Sequence, residues 1–403
     1  MARNERKQVL IAGGGIGGLA AAVTCARQGQ TVQLLERAAQ FNEVGAGIQI
    51  GPNVMRILQA WGLGDALARV ASFPQRLLAR DAQTGRELGS LRLGDRAQAL
   101  YGAPYATIHR ADLHRLLHQA AQGAGVDLRL GQTVQGWHHN SDGPDGLDVR
   151  SADGHLQANA LIGADGVKSV VREQFVGDPA RVTGHVVYRA VVDKKDFPQD
   201  LQWNAAAIWV GPNCHLVHYP LRGGEQYNVV VTFHSRQQEE WGVTDGSKEE
   251  VQSYFQGICP KARQLIDLPK TWKRWATADR EPIGQWTYGR VTLLGDAAHP
   301  TTQYMAQGAC MAMEDAVTLG EALRTHGNDW PKALDMYQRA RVARTARIVL
   351  SSREMGRIYH AKGVERLVRN DLWRGRGAER FYDAMEWLYG WNVGNCLDAA
   401  KHN

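Results

Sequence analysis

The feature that most constrains this chain is a glycine cluster between a predicted strand and a predicted helix. The apolar run from Val9 to Ala12 leads into the segment Gly13-Gly14-Gly15-Ile16-Gly17-Gly18, and helix-forming residues follow from Leu19 to Gln28. In a GxGxxG pattern the first glycine permits a tight turn, the second lets a pyrophosphate approach the backbone, and the third lets the helix pack on the strand. These three places are held by Gly13, Gly15 and Gly18.

A second strand and an acidic residue complete this unit. The segment from Thr31 to Leu35 is rich in β-forming residues, and Glu36 follows it, 18 residues after Gly18. A carboxylate at that point accepts hydrogen bonds from a ribose diol, while the helix N-terminus offers unpaired N–H groups to the phosphates. We therefore expect one dinucleotide-binding βαβ unit. The sequence carries no second fingerprint of this kind, so a separate nicotinamide domain is not expected.

Composition narrows the class of protein further. The 403 residues are 44% hydrophobic and 22% charged, as in globular proteins, and no run reaches the roughly 18 uncharged apolar residues of a membrane span. The five cysteines are widely spaced without a CxxC pair, which argues against a disulfide framework or a zinc site and favours the cytoplasm. The basic and then apolar N-terminus has the profile of a signal peptide, but its glycines favour the nucleotide loop.

The net charge of +6 is concentrated in one part of the chain. Residues 339 to 380 hold twelve Lys or Arg but only four Asp or Glu. Such a segment can attract nucleic acid, an anionic membrane or acidic substrates. Because its basic residues are scattered among apolar positions, we favour helices whose arginines pair across an interface or stay solvated, and we expect no nucleic-acid partner.

The middle of the chain has the pattern of a sheet, and the last part has the pattern of helices. Short β-rich runs with brief connections predict antiparallel strands at 184–192, 206–210, 214–219 and 227–233. Helical periodicity dominates from Ala309 onward. We expect an α/β nucleotide-binding domain, an inserted mixed sheet and a C-terminal helical part.

Two further motifs carry a resemblance to a known family. The segments Leu161–Arg172 (LIGADGVKSVVR) and Gly289–Pro300 (GRVTLLGDAAHP) resemble the DG and GD motifs of the single-component FAD aromatic-ring hydroxylases. Together with the glycine cluster they follow that family's order and spacing. The resemblance implies a Rossmann-like FAD-binding domain (1–75, 98–180 and 270–330), a substrate domain (76–97 and 181–269) and a C-terminal helical region (331–403).

The resemblance also implies which residues hold non-covalent FAD. Asp296 is expected at a ribityl hydroxyl and Arg110 at the pyrophosphate, although Asp296 can instead cap the next turn and Arg110 can be an exposed helix-start residue. The N–H groups from Gly308 to Cys310 are expected at the flavin, with Cys310 a packed residue and not a redox thiol. The implied set is Gly13, Gly15, Gly18, Glu36, Arg37, Gln49, Arg110, Asp165, Asp296, Gly308 and Ala309.

The substrate site is expected on one face of the strand at 214–219. Side chains alternate along a strand, so His215, Val217 and Tyr219 share one face while Cys214, Leu216 and His218 share the other. Histidine suits a base that deprotonates a phenol near neutral pH. The alternating pattern alone makes His215 and His218 equally good candidates for the base. The resemblance selects His215 as the base, Gln303 as a catalytic partner, and Tyr105 and Tyr219 as substrate-binding residues.

The segments at 200–206, 211–221, 303–308 and 387–391 resemble one subgroup of the family most closely. This resemblance implies that NADH and O2 are used, through a flavin C4a-hydroperoxide, to convert 3-hydroxybenzoate to gentisate by hydroxylation para to its hydroxyl. Salicylate and 6-hydroxynicotinate remain open as substrates. Two other classes of protein also remain open, a flavin dehydrogenase or oxidase and a regulatory flavoprotein. A homodimer is expected.

Overall fold

A computed structural model describes residues 8–41, 46–139, 146–327 and 329–402. These residues form nineteen strands and thirteen α-helices. The strands of the first part are β1 (Gln8–Ala12), β2 (Val32–Glu36), β3 (Gly47–Ile50), β4 (Ala71–Ser72), β5 (Arg76–Asp81), β6 (Glu87–Arg92), β7 (Ala106–His109), β8 (Asp127–Leu130), β9 (Val134–His139) and β10 (Leu147–Ser151).

The remaining strands are β11 (Gly154–Gly163), β12 (Arg181–Asp193), β13 (Ala205–Gly211), β14 (Cys214–Leu221), β15 (Gln226–His234), β16 (Gly242–Gly246), β17 (Trp272–Asp279), β18 (Thr287–Tyr288) and β19 (Val291–Leu293). The helices are α1 (Ile16–Arg27), α2 (Pro52–Ala60), α3 (Gly64–Ala68), α4 (Gly94–Tyr101), α5 (Arg110–Gly123), α6 (Val170–Glu173), α7 (Lys248–Tyr254), α8 (Pro260–Asp267), α9 (Gly308–His326), α10 (Trp330–Tyr359), α11 (Gly363–Gly375), α12 (Ala378–Tyr389) and α13 (Asp398–His402).

The first sheet contains the predicted βαβ unit. Its order is β18-β19-β11-β1-β2-β8, and β9 and β10 extend it from β11. Strand β1 pairs in parallel with both β2 and β11, and Val9 to Ala12 are buried because helices cover the sheet. Helix α1 packs between α5 and α9. The carboxyl ends of β1, β11 and β19 therefore meet at one edge, where the glycine cluster, the DG motif and the GD motif follow.

The second sheet confirms the strands predicted between residues 184 and 233. Its order is β16-β17-β12-β15-β14-β13-β5-β6, and it is antiparallel except where β13 pairs in parallel with β5. The sheet is therefore mixed. Strand β17 pairs with β12, so the boundary predicted at 269/270 falls just before a strand of this second sheet. The predicted division into three regions stays a prediction.

A small third sheet joins the two larger ones. Its order is β3-β7-β4. The Gly47 N–H of β3 donates to Asn228 Oδ1 of β15 at 2.9 Å, and the Thr107 hydroxyl of β7 donates to the Pro220 carbonyl of β14 at 2.6 Å. Both contacts are buried. The second sheet is thus held against the nucleotide-binding domain, with a space between them.

The basic C-terminal segment pairs with acidic residues elsewhere in the chain. Arg341 of α10 binds Glu314 at 2.9 Å and Asp315 at 2.7 Å, and all three side chains are fully buried. Arg344 adds a second contact with Glu314 at 2.7 Å. Further along, Arg366 binds Asp81 of β5 at 2.7 Å. These pairs lie within one chain, so the prediction that they span an interface was wrong for them. Among the described residues, no helix is long and apolar enough to cross a membrane.

Candidate active site

A cavity of about 1390 Å³ lies between the nucleotide-binding domain and the second sheet. It exceeds the roughly 300 to 1,000 Å³ of common ligand pockets, so it has room for a dinucleotide and a second small molecule. Its walls come from the start of α1, the second sheet, the loop after β19, the start of α9 and the C-terminal helices. Six of the predicted cofactor residues line it, and these are Gly15, Gln49, Arg110, Asp296, Gly308 and Ala309.

The three fingerprint glycines meet different constraints. Gly13 has a φ of +101°, and a Cβ there would lie 2.4 Å from the Ala164 carbonyl oxygen. A Cβ on Gly18 would lie 1.9 Å from the Gly13 carbonyl oxygen. No atom lies within 4 Å of the corresponding position on Gly15, which faces the cavity. Gly13 and Gly18 therefore permit close packing of the loop, while Gly15 leaves its backbone open to a phosphate.

Glu36 lies at the end of β2 beside this loop. Its carboxylate accepts hydrogen bonds from the Gly14 N–H at 2.6 Å and from the Ala38 N–H at 2.8 Å. Arg37 is exposed, and neither Glu36 nor Arg37 lines the cavity described above. In this structure Glu36 thus orders the glycine loop, and binding of a ribose by Glu36 or of the cofactor by Arg37 stays a prediction.

The DG motif contacts the backbone of the GD loop on the side away from the cavity. The Asp165 carboxylate accepts from the Ser169 hydroxyl and from the Val170 N–H at 2.8 Å, so it holds the start of α6, whose N-cap is Ser169. Arg172 is fully buried and donates to the Ala297 and Ala298 carbonyls at 3.0 and 2.7 Å. Asp165 does not line the cavity. Binding of the cofactor by Asp165 therefore stays a prediction.

Asp296 stands at the cavity wall without a local partner. Among the described residues none donates a hydrogen bond to its carboxylate, so the alternative that Asp296 caps the next turn finds no support here. Desolvation by the surrounding protein raises the pKa of Asp296, against the nearby charges of His299 and Arg110, which lower it. An unpartnered acceptor in a cavity is suited to a ligand hydroxyl.

Helix α9 points its N-terminus at the same space. Gly308 and Ala309 line the cavity, and no side chain caps this helix end. The first-turn N–H groups and the helix dipole therefore favour negative charge there. Cys310 is buried, and burial raises the pKa of its thiol to about 12. It is a packed residue, as expected, and not a reactive thiolate.

A buried charge network fixes the start of α9 against the GD loop. Asp315 accepts from the Gly295 N–H at 3.0 Å and lies 2.6 Å from His299 Nε2. Burial alone would raise the pKa of Asp315, but His299 and Arg341 outweigh it and lower the pKa to about 2. Asp315 is therefore ionised at neutral pH, and its position holds the loop that carries Asp296.

The predicted substrate-binding tyrosines lie at the cavity wall. Tyr105 and Tyr219 are 3% and 2% exposed, and the Tyr105 hydroxyl donates to Gln49 Oε1. Burial raises the pKa of both phenols well above the usual value. Both hydroxyls therefore keep their protons and can act as donors. Gln49 was expected among the cofactor residues; here it contacts a tyrosine of the substrate wall.

The two candidate histidines of β14 point to opposite sides of the second sheet. His215 lines the cavity, whereas His218 does not and accepts a hydrogen bond from Trp209 Nε1 at 3.3 Å. Burial, with a smaller contribution from His185, lowers the pKa of His215 to about 3. Gln303 also lines the cavity. Its Oε1 is buried and has no hydrogen-bond partner among the described residues.

Two polar residues near these groups were not predicted from the sequence. Arg189 of β12 lines the cavity, its guanidinium lies 5.4 Å from the centre of the Trp275 ring, and its buried Nε has no partner among the described residues. His360 follows α10 and contacts His215. Arg189 could have been predicted from the sequence, because it is a cation within an apolar strand. No local signal marked His360, because its partner is 145 residues away.

Comparison with known proteins agrees with this geometry. The model of the "FAD binding domain" family matches residues 6–352. The chain is 69% identical over 392 residues to 3-hydroxybenzoate 6-hydroxylase of Polaromonas naphthalenivorans, covering 96% of this chain and 97% of that protein. It is 54% identical to the Klebsiella oxytoca protein of the same name, covering 97% and 98% of the two chains. The structure of Klebsiella pneumoniae HpxO complexed with FAD and uric acid superposes with a TM-score of 0.82 at 25% identity, covering 98% of this chain and 97% of that one.

The residues present fit the cofactor that this family binds. Gly15 offers open backbone, Asp296 offers an unpartnered acceptor, and the uncapped start of α9 offers N–H groups, all at one cavity. FAD requires such a phosphate cradle, a hydroxyl partner and donors at the flavin. The chain therefore belongs to the FAD binding domain family, and it is an FAD-dependent aromatic monooxygenase of the single-component aromatic-ring hydroxylases.

Proposed function

We propose that the enzyme hydroxylates 3-hydroxybenzoate para to its hydroxyl and releases gentisate, with NADH and O2 as co-substrates. The observation that carries the proposal is the grouping of His215, Gln303 and Tyr219 on one cavity wall beside the GD loop. The names of the two relatives above support the same substrate. We further propose that the enzyme acts in the cytoplasm as a homodimer.

The hydroxyl of the substrate is the group that these residues can activate. FAD, when bound, supplies the activated oxygen that the ring attacks. A phenol attacks well only when its ring gains electron density, and loss of the hydroxyl proton provides it. His215 is neutral at pH 7 because burial lowers its pKa, so one ring nitrogen has a lone pair that can accept a hydrogen bond from that hydroxyl and draw its proton away from the oxygen. A hydroxyl has one proton, so the unpartnered Oε1 of Gln303 is an alternative acceptor that can orient this hydroxyl before its proton moves to His215.

The carboxylate of the substrate needs donors and positive charge. Tyr219 remains protonated at neutral pH and supplies an O–H donor, whereas Tyr105 donates its O–H to Gln49 and can offer it to the acid only by turning away from Gln49. Arg189 supplies a cation on the same wall. A buried cation without a carboxylate partner is costly, so an anionic acid at this wall is favoured. Binding of the acid would also exclude water from the reacting atoms.

Turnover with product analysis tests the proposal. FAD-loaded enzyme is mixed with NADH and 3-hydroxybenzoate, salicylate or 6-hydroxynicotinate in turn, and products are identified by chromatography. We expect stoichiometric gentisate from 3-hydroxybenzoate, with one oxygen atom from ¹⁸O₂. Conversion of salicylate or 6-hydroxynicotinate without conversion of 3-hydroxybenzoate would show that the proposed substrate is wrong. NADH oxidation without a labelled product would indicate an oxidase.

Paired histidine variants test the role of β14. His215→Ala should retain FAD and lose most hydroxylation. The matched variant His218→Ala removes an equally buried ring from the other face of the strand and should keep hydroxylation. The reverse result would assign the base to His218.

A further inference from the structure

His215 is bonded to a second histidine that reaches it from the C-terminal helices. His215 Nδ1 lies 2.8 Å from His360 Nε2, and both side chains are buried. His360 follows the last residue of α10 and does not line the cavity. Its carbonyl accepts from the Asn213 N–H at 3.0 Å, in the turn that precedes β14. The backbone thus fixes His360 close to the strand that carries His215.

Both rings are neutral at the pH where the enzyme works. Burial lowers the pKa of His215 to about 3, and it lowers the pKa of His360 well below the usual value. The charged or titratable groups His185, His234 and Arg369 lower the pKa of His360 further, beyond the effect of His215 itself. A hydrogen bond between two neutral imidazoles requires that one ring donates and the other accepts.

The two arrangements differ in what they leave on His215. His360 Nδ1 is buried after the end of α10 and has no hydrogen-bond partner among the described residues. Arg369 Nη1 donates to the Ile358 and Tyr359 carbonyls at 3.1 and 3.0 Å, so these carbonyls of the last turn already have a cationic partner. When the proton of His360 lies on Nδ1, its Nε2 has a lone pair and accepts from His215 Nδ1–H. A base on His215 requires this arrangement, because it leaves His215 Nε2 unprotonated.

We propose that His360 is a positioning residue that accepts the Nδ1–H of His215 and so leaves His215 Nε2 unprotonated toward the cavity. Nε2 is then the atom that takes the proton of a substrate hydroxyl. In the opposite tautomer Nε2 would carry a hydrogen and could not act as a base. The inference rests on the proposed function, because it assumes that His215 deprotonates a phenolic substrate.

No other described side chain can substitute for His360 in this geometry. Among the described residues, His360 makes the one hydrogen bond to the ring of His215. His185 lies nearby but its Nδ1 is bonded to the Tyr304 hydroxyl. Loss of the His360 acceptor therefore leaves the tautomer of His215 without a fixed preference.

The test compares His360→Leu, which removes the acceptor, with His360→Gln, which keeps an acceptor oxygen near the place of Nε2. His218→Gln is the matched control on the other face of β14. The tautomer of His215 is read from ¹⁵N chemical shifts of histidine-labelled, FAD-loaded protein without substrate. Hydroxylation of 3-hydroxybenzoate is measured in parallel, and retained FAD absorbance verifies folding.

We expect His360→Leu to lose the Nδ1–H tautomer of His215. Its kcat should fall at least tenfold, while its KM should change less than threefold. His360→Gln should keep the tautomer and stay within about threefold of the wild-type kcat, as should His218→Gln. Retention of the tautomer in His360→Leu, or equal losses in both His360 variants with the tautomer unchanged, would overturn the inference. If wild-type enzyme does not convert 3-hydroxybenzoate while the tautomer changes as expected, the proposed substrate fails and the positioning role stands.

Discussion

The replacement of Arg341 by methionine tests how the start of α9 is held. Arg341 makes ion pairs of 2.9 and 2.7 Å with Glu314 and Asp315, and none of the three side chains is exposed. Removing one partner of a buried ion pair costs about 3 to 5 kcal/mol. In the variant Asp315 would still pair with His299, and Glu314 would still pair with Arg344. We therefore expect the free energy of unfolding to fall by the lower end of this range, about 3 kcal/mol. This is roughly a hundredfold change in the unfolding equilibrium.

Urea unfolding of the FAD-free protein, followed by tryptophan fluorescence, measures this loss. The control is Arg324→Met, whose side chain is 64% exposed and pairs with Glu321, and it should cost less than about 1 kcal/mol. Because the folded pKa of Asp315 is lowered to about 2, its contribution is complete above about pH 4 and is lost only as pH falls toward 2. The difference in free energy of unfolding between the wild type and the Arg341→Met variant should thus be constant from pH 6 to 8. Equal costs for the two arginine variants would refute the reasoning.

Three further predictions concern the cofactor site. Gly18→Ala should prevent FAD binding, because its Cβ would lie 1.9 Å from the Gly13 carbonyl, whereas Gly123→Ala, with no atom within 4 Å, should bind FAD normally in fluorescence titrations. Asp296→Ala should weaken FAD binding about 10- to 100-fold in the same titration, since a hydrogen bond to a charged group contributes about 1.5 to 3 kcal/mol. Cys310 should resist iodoacetamide from pH 7 to 10, because its thiol ionises only near pH 12; peptide mass spectrometry showing its labelling in folded protein would contradict this.

Local patterns in the sequence were sufficient for the elements that determine the cofactor domain. The glycine spacing and the apolar run at Val9 to Ala12 predicted the βαβ unit, and the helix starting near Ala309 is α9. These predictions succeed because turn chemistry and periodicity act over a few residues. Period two along Cys214–Leu221 also separated His215 from His218 correctly.

What the sequence could not provide depends on contacts between distant segments. Which face of β14 meets the cavity is decided by its pairing with β13 and β15 and by the domain packed against them. The His215–His360 bond and the pairing of β17 with β12 likewise join residues far apart in the chain. Asp81, which pairs with Arg366 of the basic C-terminal segment, lies 285 positions earlier in the chain. Periodicity carries no information on such partners.

The strand order of the first sheet has a consequence for synthesis of the protein. Strand β19 pairs with β11, which pairs with β1, so this part of the cofactor cradle is translated long after the first strand, and the start of α9 later still. The strands of the second sheet lie between β1 and β19 in the chain, and β5 pairs with β13, which is translated much later. A nascent chain that ends before β19 therefore leaves one edge of β11 unpaired, and contacts this distant in sequence form slowly. Acquisition of FAD must therefore follow translation of most of the chain, because Asp296 and the start of α9 belong to the same cradle as the N-terminal glycines.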